Sequence, residues 1–270
     1  MKAIFQVRRI AAPALEGFQR DYVLRGEPVI LTGIARHWPA FPMMTPNVLK
    51  QTFGEITVPV RESDDELNYF FGQSGGKSTM KLADYIDTIS GPPSRGQTRP
   101  YLGNIPFDHP LTRQYLQRLK AALPFPDYFP NQIYGDLRIW IGAAGQRSTI
   151  HNDNYHNLNA QLYGRKRFLL FAPEQYQQLY TSLVNETCWA SPVDPDRPDY
   201  AQYPRFQDAE PREAILEAGD MLYIPIFWWH YVVALDLSIS VSRFSYLSQT
   251  QLWTQPDTDH NTESAKQATA

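Results

Sequence analysis

His151-Asn152-Asp153 and, far downstream, His230 are the residues of this chain best suited to chemistry. Two imidazoles and a carboxylate can cap one face of an octahedral ferrous ion and leave the other positions open for a co-substrate and dioxygen. Alternate residues of an extended segment point the same way, so an H-x-D triplet sets both donors on one side. The third donor must come from a neighbouring strand. His230 closes the run Gly219-Asp220-Met221-Leu222-Tyr223-Ile224-Pro225-Ile226-Phe227-Trp228-Trp229-His230, whose apolar and aromatic residues read as such a strand. A bare H-x-D arises by chance in many chains; the downstream string gives it weight.

A metal that activates dioxygen in this way needs a bidentate co-substrate. In 2-oxoglutarate the C1 carboxylate and C2 ketone chelate iron, while the C5 carboxylate calls for a cation and hydrogen-bond donors. Lys166, at the start of the strand that follows Gly164, supplies a cation. Ser148 or Thr149 offers a hydroxyl and Tyr101 a phenol. Taken alone, Lys166 reads as an ordinary solvated lysine.

The elements that must position these residues are mostly strands. From 137 onward β-prone runs recur at 137–141, 157–163, 166–171, 213–217, 221–224, 228–235 and 238–244, separated by turns. That pattern indicates a barrel or sandwich rather than a parallel α/β sheet. In 157–163, Asn157, Asn159 and Gln161 share one face and Leu158, Ala160 and Leu162 the other. The polar face either lines a cavity beside the metal or looks at solvent. Upstream, helical spacing marks 13–26, 80–89 and 111–123, with strands at 28–33 and 56–60. Glycine-rich loops are expected at 72–78 and 91–100, an irregular insertion at 184–211, and a short helix from Pro173 to Tyr180.

Composition narrows the setting. With 25 basic and 28 acidic residues and a net charge of −3, the chain lacks the footprint of broad nucleic-acid or anionic-membrane binding. The single cysteine, Cys188, rules out an internal disulfide and a thiolate zinc cage. The N-terminus lacks a signal-peptide pattern, and no run approaches the ~20 apolar residues that span a bilayer. A cytoplasmic protein with no membrane partner is expected.

From Trp140 through Phe244 the chain resembles the JmjC (cupin-like) Fe(II)- and 2-oxoglutarate-dependent oxygenases, and among them the small protein-hydroxylase branch. The likeness rests on Trp140-Ile141-Gly142, His151-x-Asp153, Asn157, Gln161, Gly164-Arg165-Lys166-Arg167, Gly219 to Pro225, and Trp229-His230-Tyr231-Val232. It implies a mainly β double-stranded β-helix, a jelly-roll or cupin-like barrel with flanking N-terminal helices. One domain would cover 1–253, with an N-terminal region at 1–136, a barrel core at 137–247 and a polar, disordered tail at 254–270. The resemblance implies iron ligands at His151, Asp153 and His230. It implies 2-oxoglutarate contacts at Lys166, Tyr101, Ser148 and Asn157, with Trp140 as a pocket aromatic beside Gln161 and Arg61. His156 is then a loop or neighbouring residue rather than a ligand. His37, His109 and His260 receive no role.

The chain departs from the family at two places. Ser242-Arg243-Phe244-Ser245 replaces part of an aromatic run, which leaves Ser242 and Phe244 without an assigned role. Val58-Pro59-Val60 is followed by Arg61 where arginyl hydroxylases place an acid, which disfavours an arginine substrate and suits a polar or anionic one. The expected function is hydroxylation of a protein or peptide side chain with release of succinate and CO2, using Fe(II), 2-oxoglutarate and O2. The alternatives are hydroxylation of a tRNA base by the same chemistry, and a metal-binding cupin-like scaffold without turnover.

Overall fold

Strands fill the second half of the chain, as its short β-prone runs require. The computed structural model describes residues 1–61, 77–91, 99–130, 132–185 and 188–246. The acidic stretch 62–66, most of the 72–78 and 91–100 loops, and the polar tail lie outside them. In chain order the strands are β1 (Phe5–Gln6), β2 (Arg9–Ile10), β3 (Val29–Leu31), β4 (Thr57–Arg61), β5 (Lys77–Lys81), β6 (Leu102–Pro106), β7 (Ile133–Gly142) and β8 (Arg147–Asn152). They continue as β9 (His156–Tyr163), β10 (Lys166–Phe171), β11 (Ser182–Asn185), β12 (Cys188–Ala190), β13 (Arg212–Leu216), β14 (Met221–Ile224), β15 (Trp229–Ala234) and β16 (Ser238–Ser245). The helices α1 (Leu15–Phe18), α2 (Pro46–Phe53), α3 (Leu82–Ser90) and α4 (Arg113–Lys120) all precede β7. No helix among the described residues is long and apolar enough to cross a membrane.

Two seven-stranded sheets carry the fold, ordered β1-β13-β10-β15-β8-β12-β11 and β2-β3-β14-β9-β16-β7-β6, with β4-β5 as a separate pair. This is the mainly β architecture that the strand spacing led one to expect, and it agrees with the cupin-like fold that the resemblance implied. Both faces of each sheet are covered. Leu158, Ala160 and Leu162 of β9 join Tyr223, Ile239, Val241 and Ile141 under the N-terminal helices, with Phe18, Tyr85 and Ile89 in the same cluster. Leu169, Phe171, Trp229 and Tyr231 pack instead beneath Leu179, Val193, Phe206 and Ala209. The 184–211 segment is therefore not a purely irregular insertion. It begins as the β11–β12 hairpin, whose Ala190 pairs with His151, and then covers the outer face of one sheet.

The faces that remain look at each other. At one end Ile30, Leu222 and Ile224 of one sheet meet Phe168, Leu170, Ala214 and Leu216 of the other in a dry core. Beside them, on the neighbouring strand β9, the same face carries Asn157, Asn159 and Gln161, which are only 6%, 6% and 0% exposed. The solvent reading of that polar row is thus overturned. A polar row inside a sandwich needs partners, so this half of the interior is where a ligand belongs.

Two turns hold the arrangement. Gly164 joins β9 to β10 at φ 66°, and a Cβ there would lie 2.1 Å from the Leu237 carbonyl oxygen. Only glycine fits, and the turn sets which face Lys166 occupies. Asp220, 1% exposed, accepts hydrogen bonds from the Gly33 and Glu217 amides at 3.0 and 3.1 Å and pairs with Arg9. It thereby ties the N-terminal segment to β14. Asp220→Ala strands two amide donors, so we expect a loss of about 2–4 kcal/mol, discounted because Arg9 is partly solvated. Urea unfolding at unchanged m-value checks this, and an unaltered midpoint refutes the role.

Candidate metal centre and co-substrate pocket

His151 and His230 are directly opposed across the β8–β15 ladder, their rings 4.1 Å apart. Each is oriented by its own strand. The Nδ1–H of His151 donates to the Thr149 carbonyl at 2.8 Å, and that of His230 to the Trp228 carbonyl at 3.1 Å. With Nδ1 protonated, Nε2 presents its lone pair to the interior, as metal-binding imidazoles require. Asp153 follows the end of β8 on the same side as His151, and its carboxylate oxygen lies 3.7 Å from His230 Nε2. One ligand atom from each of the three lies within 4.8 Å of the others.

Backbone and electrostatics support this grouping. Phe227 donates its amide to the Asp153 carbonyl at 3.0 Å from a left-handed conformation, φ 66°. A bulky residue held there costs on the order of 1–3 kcal/mol, so the β14–β15 connection carries strain beside the Asp153 it braces. Burial first, and then the neighbouring His230, push the His151 pKa down to about 4. The imidazole is therefore neutral at physiological pH and needs no deprotonation before it binds a metal. Two imidazoles and one carboxylate suit a divalent first-row ion.

Lys166 reaches from β10 across the sandwich to the other sheet. It is 6% exposed, and its Nζ donates to Ser240 Oγ at 2.6 Å. Burial alone depresses its pKa to about 7. Among the described residues no carboxylate lies within ion-pair distance of it. On the inner face of the sheet it reaches, the Oδ1 atoms of Asn157 and Asn159, the Oε1 of Gln161 and the Oγ of Ser238 are sealed without partners. A buried ammonium without a counter-ion, facing unfilled hydrogen-bonding groups, fits an acid that enters from outside.

The cupin-like domain family matches residues 15–249. This chain belongs to the cupin-like JmjC oxygenase family. It is 33% identical over 240 residues to the Arabidopsis thaliana lysine-specific demethylase JMJ30, covering 88% of this chain and 54% of that protein. It is 27% identical over 254 residues to the human bifunctional peptidase and (3S)-lysyl hydroxylase JMJD7, with 83% and 79% coverage. It is 30% identical over 268 residues to the human tRNA wybutosine-synthesizing protein 5, with 94% and 84% coverage. The chain spans about half the length of the demethylase relatives it matches.

Tyr101, Arg61, Ser148, Trp140 and Gln161, the other residues expected here, are placed as follows. Tyr101 pairs through its backbone with Arg61, at 3.0 and 2.8 Å. Its ring lies over Gly142, where a Cβ would come within 3.1 Å, and Gly142 is paired with Ser238. Ser148 stands opposite Val232, which packs against the inter-sheet core, so its hydroxyl shares that face. Trp140 is paired with Ser240 on the polar face. Gln161 donates Nε2 to the Tyr163 and Gly164 carbonyls at 2.7 and 3.2 Å, so it braces the turn and offers only its carbonyl inward. His156 corrects the expectation of a loop or neighbouring residue. It lies on the opposite face of β9, bonded to Tyr223 Oη at 2.9 Å and stacked on Phe129.

Residues without an expected role also appear here. Ser240 receives Lys166, and Ser242 accepts from Asn159 Nδ2 at 2.8 Å. The alternation Ser238-x-Ser240-x-Ser242 was the signal that could have found them, since an apolar sheet does not place three hydroxyls on one inner face without partners.

Proposed function

We propose that this chain is an Fe(II)- and 2-oxoglutarate-dependent oxygenase that hydroxylates a side chain of a protein or peptide. The observation that carries the proposal is Lys166, a buried cation without an acid, on the same interior as the His151, Asp153 and His230 donors. In this reading those three side chains hold the iron. Bound iron and 2-oxoglutarate would supply oxidation of an unactivated C–H bond by dioxygen, coupled to decarboxylation of the keto acid to succinate and CO2. The chain's own residues supply position and dryness. Lys166, steadied by Ser240 and flanked by Tyr101 and Ser148, receives the C5 carboxylate and fixes the depth of the keto acid. Asn157 offers its amide near the chelating end. The dry half of the sandwich keeps water from the reacting end.

JMJD7, named a lysyl hydroxylase, matches over most of both chains and supports a polypeptide target. The wybutosine-synthesizing relative favours a second reading, oxidation of a tRNA base, which the net charge of −3 does not favour. The scaffold reading is opposed by the coexistence of all three donors with Lys166. Purified chain given Fe(II), ascorbate and 2-oxoglutarate should form succinate in air, and peptides from a lysate should gain one oxygen atom only when it is present. Failure of the manganese-loaded chain to bind 2-oxoglutarate would overturn the proposal.

A further inference from the structure

We propose that Arg138 receives a carboxylate of the substrate polypeptide at the mouth of the metal site, so that the target is an acidic sequence. This rests on the hydroxylase reading above and specifies its substrate class. Arg138 lies two residues before Trp140 on β7, in a rung with Ser242 and Asn159, and so shares the polar interior face. Its Nη1 donates to Asn104 Oδ1 at 2.8 Å. Its guanidinium carbon stands 5.9 Å from the Tyr134 ring centroid and 5.6 Å from that of Phe244. Its Nε is sealed from solvent with no acceptor. Among the described residues no carboxylate pairs with it. Arg147, Arg167 and Arg243, comparably sheltered, each face an acid: Asp194, Glu213 and Asp127.

The surroundings look built to hold this cation in place. Asn104 sits at φ 60°, within a bulge between Leu102 and Ile105, and its amide turns to the guanidinium. Tyr134 is stacked on Tyr155 at 3.9 Å, and Tyr155 is two residues from the ligand Asp153. The arginine is therefore linked to the metal site through two rings. A planar guanidinium with one edge fixed and aromatic rings beside it is suited to a carboxylate, which it meets with two parallel bonds. A nucleic-acid backbone would need a track of such cations. The single site favours one acidic side chain.

The test is selection of randomised displayed peptides on the full chain loaded with Mn(II) and 2-oxoglutarate. Aspartate or glutamate should be enriched at one position on the wild-type chain. Arg138→Gln should cut the affinity of a selected peptide by about tenfold or more, and Arg138→Lys should keep part of the acidic preference. Asn104→Ala, which leaves the cation but frees it, should weaken the same peptide less. A neutral or basic consensus overturns the proposal, as does an acidic preference that survives Arg138→Gln. So does a flat selection on a chain that binds 2-oxoglutarate. If total tRNA displaces the selected peptides and Arg138→Gln removes that competition, the site reads RNA and the proposal falls. If Arg138→Gln loses 2-oxoglutarate and not the peptide preference, the residue serves the co-substrate and the proposal falls. A wild-type chain that binds no 2-oxoglutarate defeats the hydroxylase reading instead.

Discussion

Lys166→Met will raise the melting temperature of this protein and remove most of its affinity for 2-oxoglutarate. In the folded chain the ammonium is buried with one hydroxyl partner and no acid in reach. Replacing a buried charge with an apolar side chain of similar volume typically stabilises by about 1–4 kcal/mol. For a protein of this size that is an increase of several degrees, since each kcal/mol moves the midpoint by roughly 2–4 °C. The sign with pH follows from the depressed pKa. Between about 7 and the ordinary 10.5 the unfolded chain binds more protons than the folded one, so wild-type stability rises with pH across that window. The advantage of Lys166→Met is then largest at and below about pH 7 and shrinks towards pH 10.5. Binding runs the other way. The lysine must be protonated to receive a carboxylate, so wild-type affinity for 2-oxoglutarate should fall as pH rises above about 7. Loss of a charge-assisted contact costs up to about 3 kcal/mol, or roughly 100-fold in Kd. Calorimetric melting and titration of 2-oxoglutarate into the manganese-loaded chain read both effects. A variant that melts lower and still binds the keto acid would leave Lys166 as a packing residue.

His151→Ala should reduce metal affinity by at least about 100-fold, because loss even of a group that only orients a ligand costs about 10–100-fold. The fold should survive. Ile150, beside it on β8, supplies the buried apolar contact, and His151 itself is partly exposed. The readouts are a Mn(II) binding isotherm and succinate formation with Fe(II), alongside an unchanged circular dichroism spectrum. The ring of His230 lies 4.1 Å from the deleted imidazole, which leaves a gap of that side chain's shape. Added imidazole should therefore restore part of the binding. Undiminished Mn(II) affinity in a folded His151→Ala chain would show that the donors are not the metal site.

The grouping of His151, Asp153 and His230 was legible in the residues because its logic is local. His151 and Asp153 share a side by strand parity, and His230 lies in an apolar, aromatic-rich run that reads as strand and supplies the start of β15. Lys166 was legible for a similar reason, since Gly164 forces a turn and the following residue count sets its face. What parity could not supply is which face is inside. Asn157, Asn159 and Gln161 were one row in the sequence, but their burial depends on a second sheet that closes over them. His156 differs from Asn157 by one position and so belongs to the opposite core, against Phe129 and Tyr223. The covering role of the 184–211 segment was hidden for the same reason. It contacts Phe171 and Tyr231, residues distant in the chain.

By itself, then, the chain determined the kinds of donor, their order along the polypeptide and the alternation that groups them. Only the tertiary structure decided that His151 faces His230 across a ladder, that Lys166 meets Ser240 from the other sheet, and that Arg138 is left without an acid. The physical reason is that a period of two assigns residues to faces, whereas pairing register and sheet stacking assign faces to neighbours. Those depend on contacts between segments tens of residues apart, and a slip of one position would have exchanged every inward side chain for an outward one.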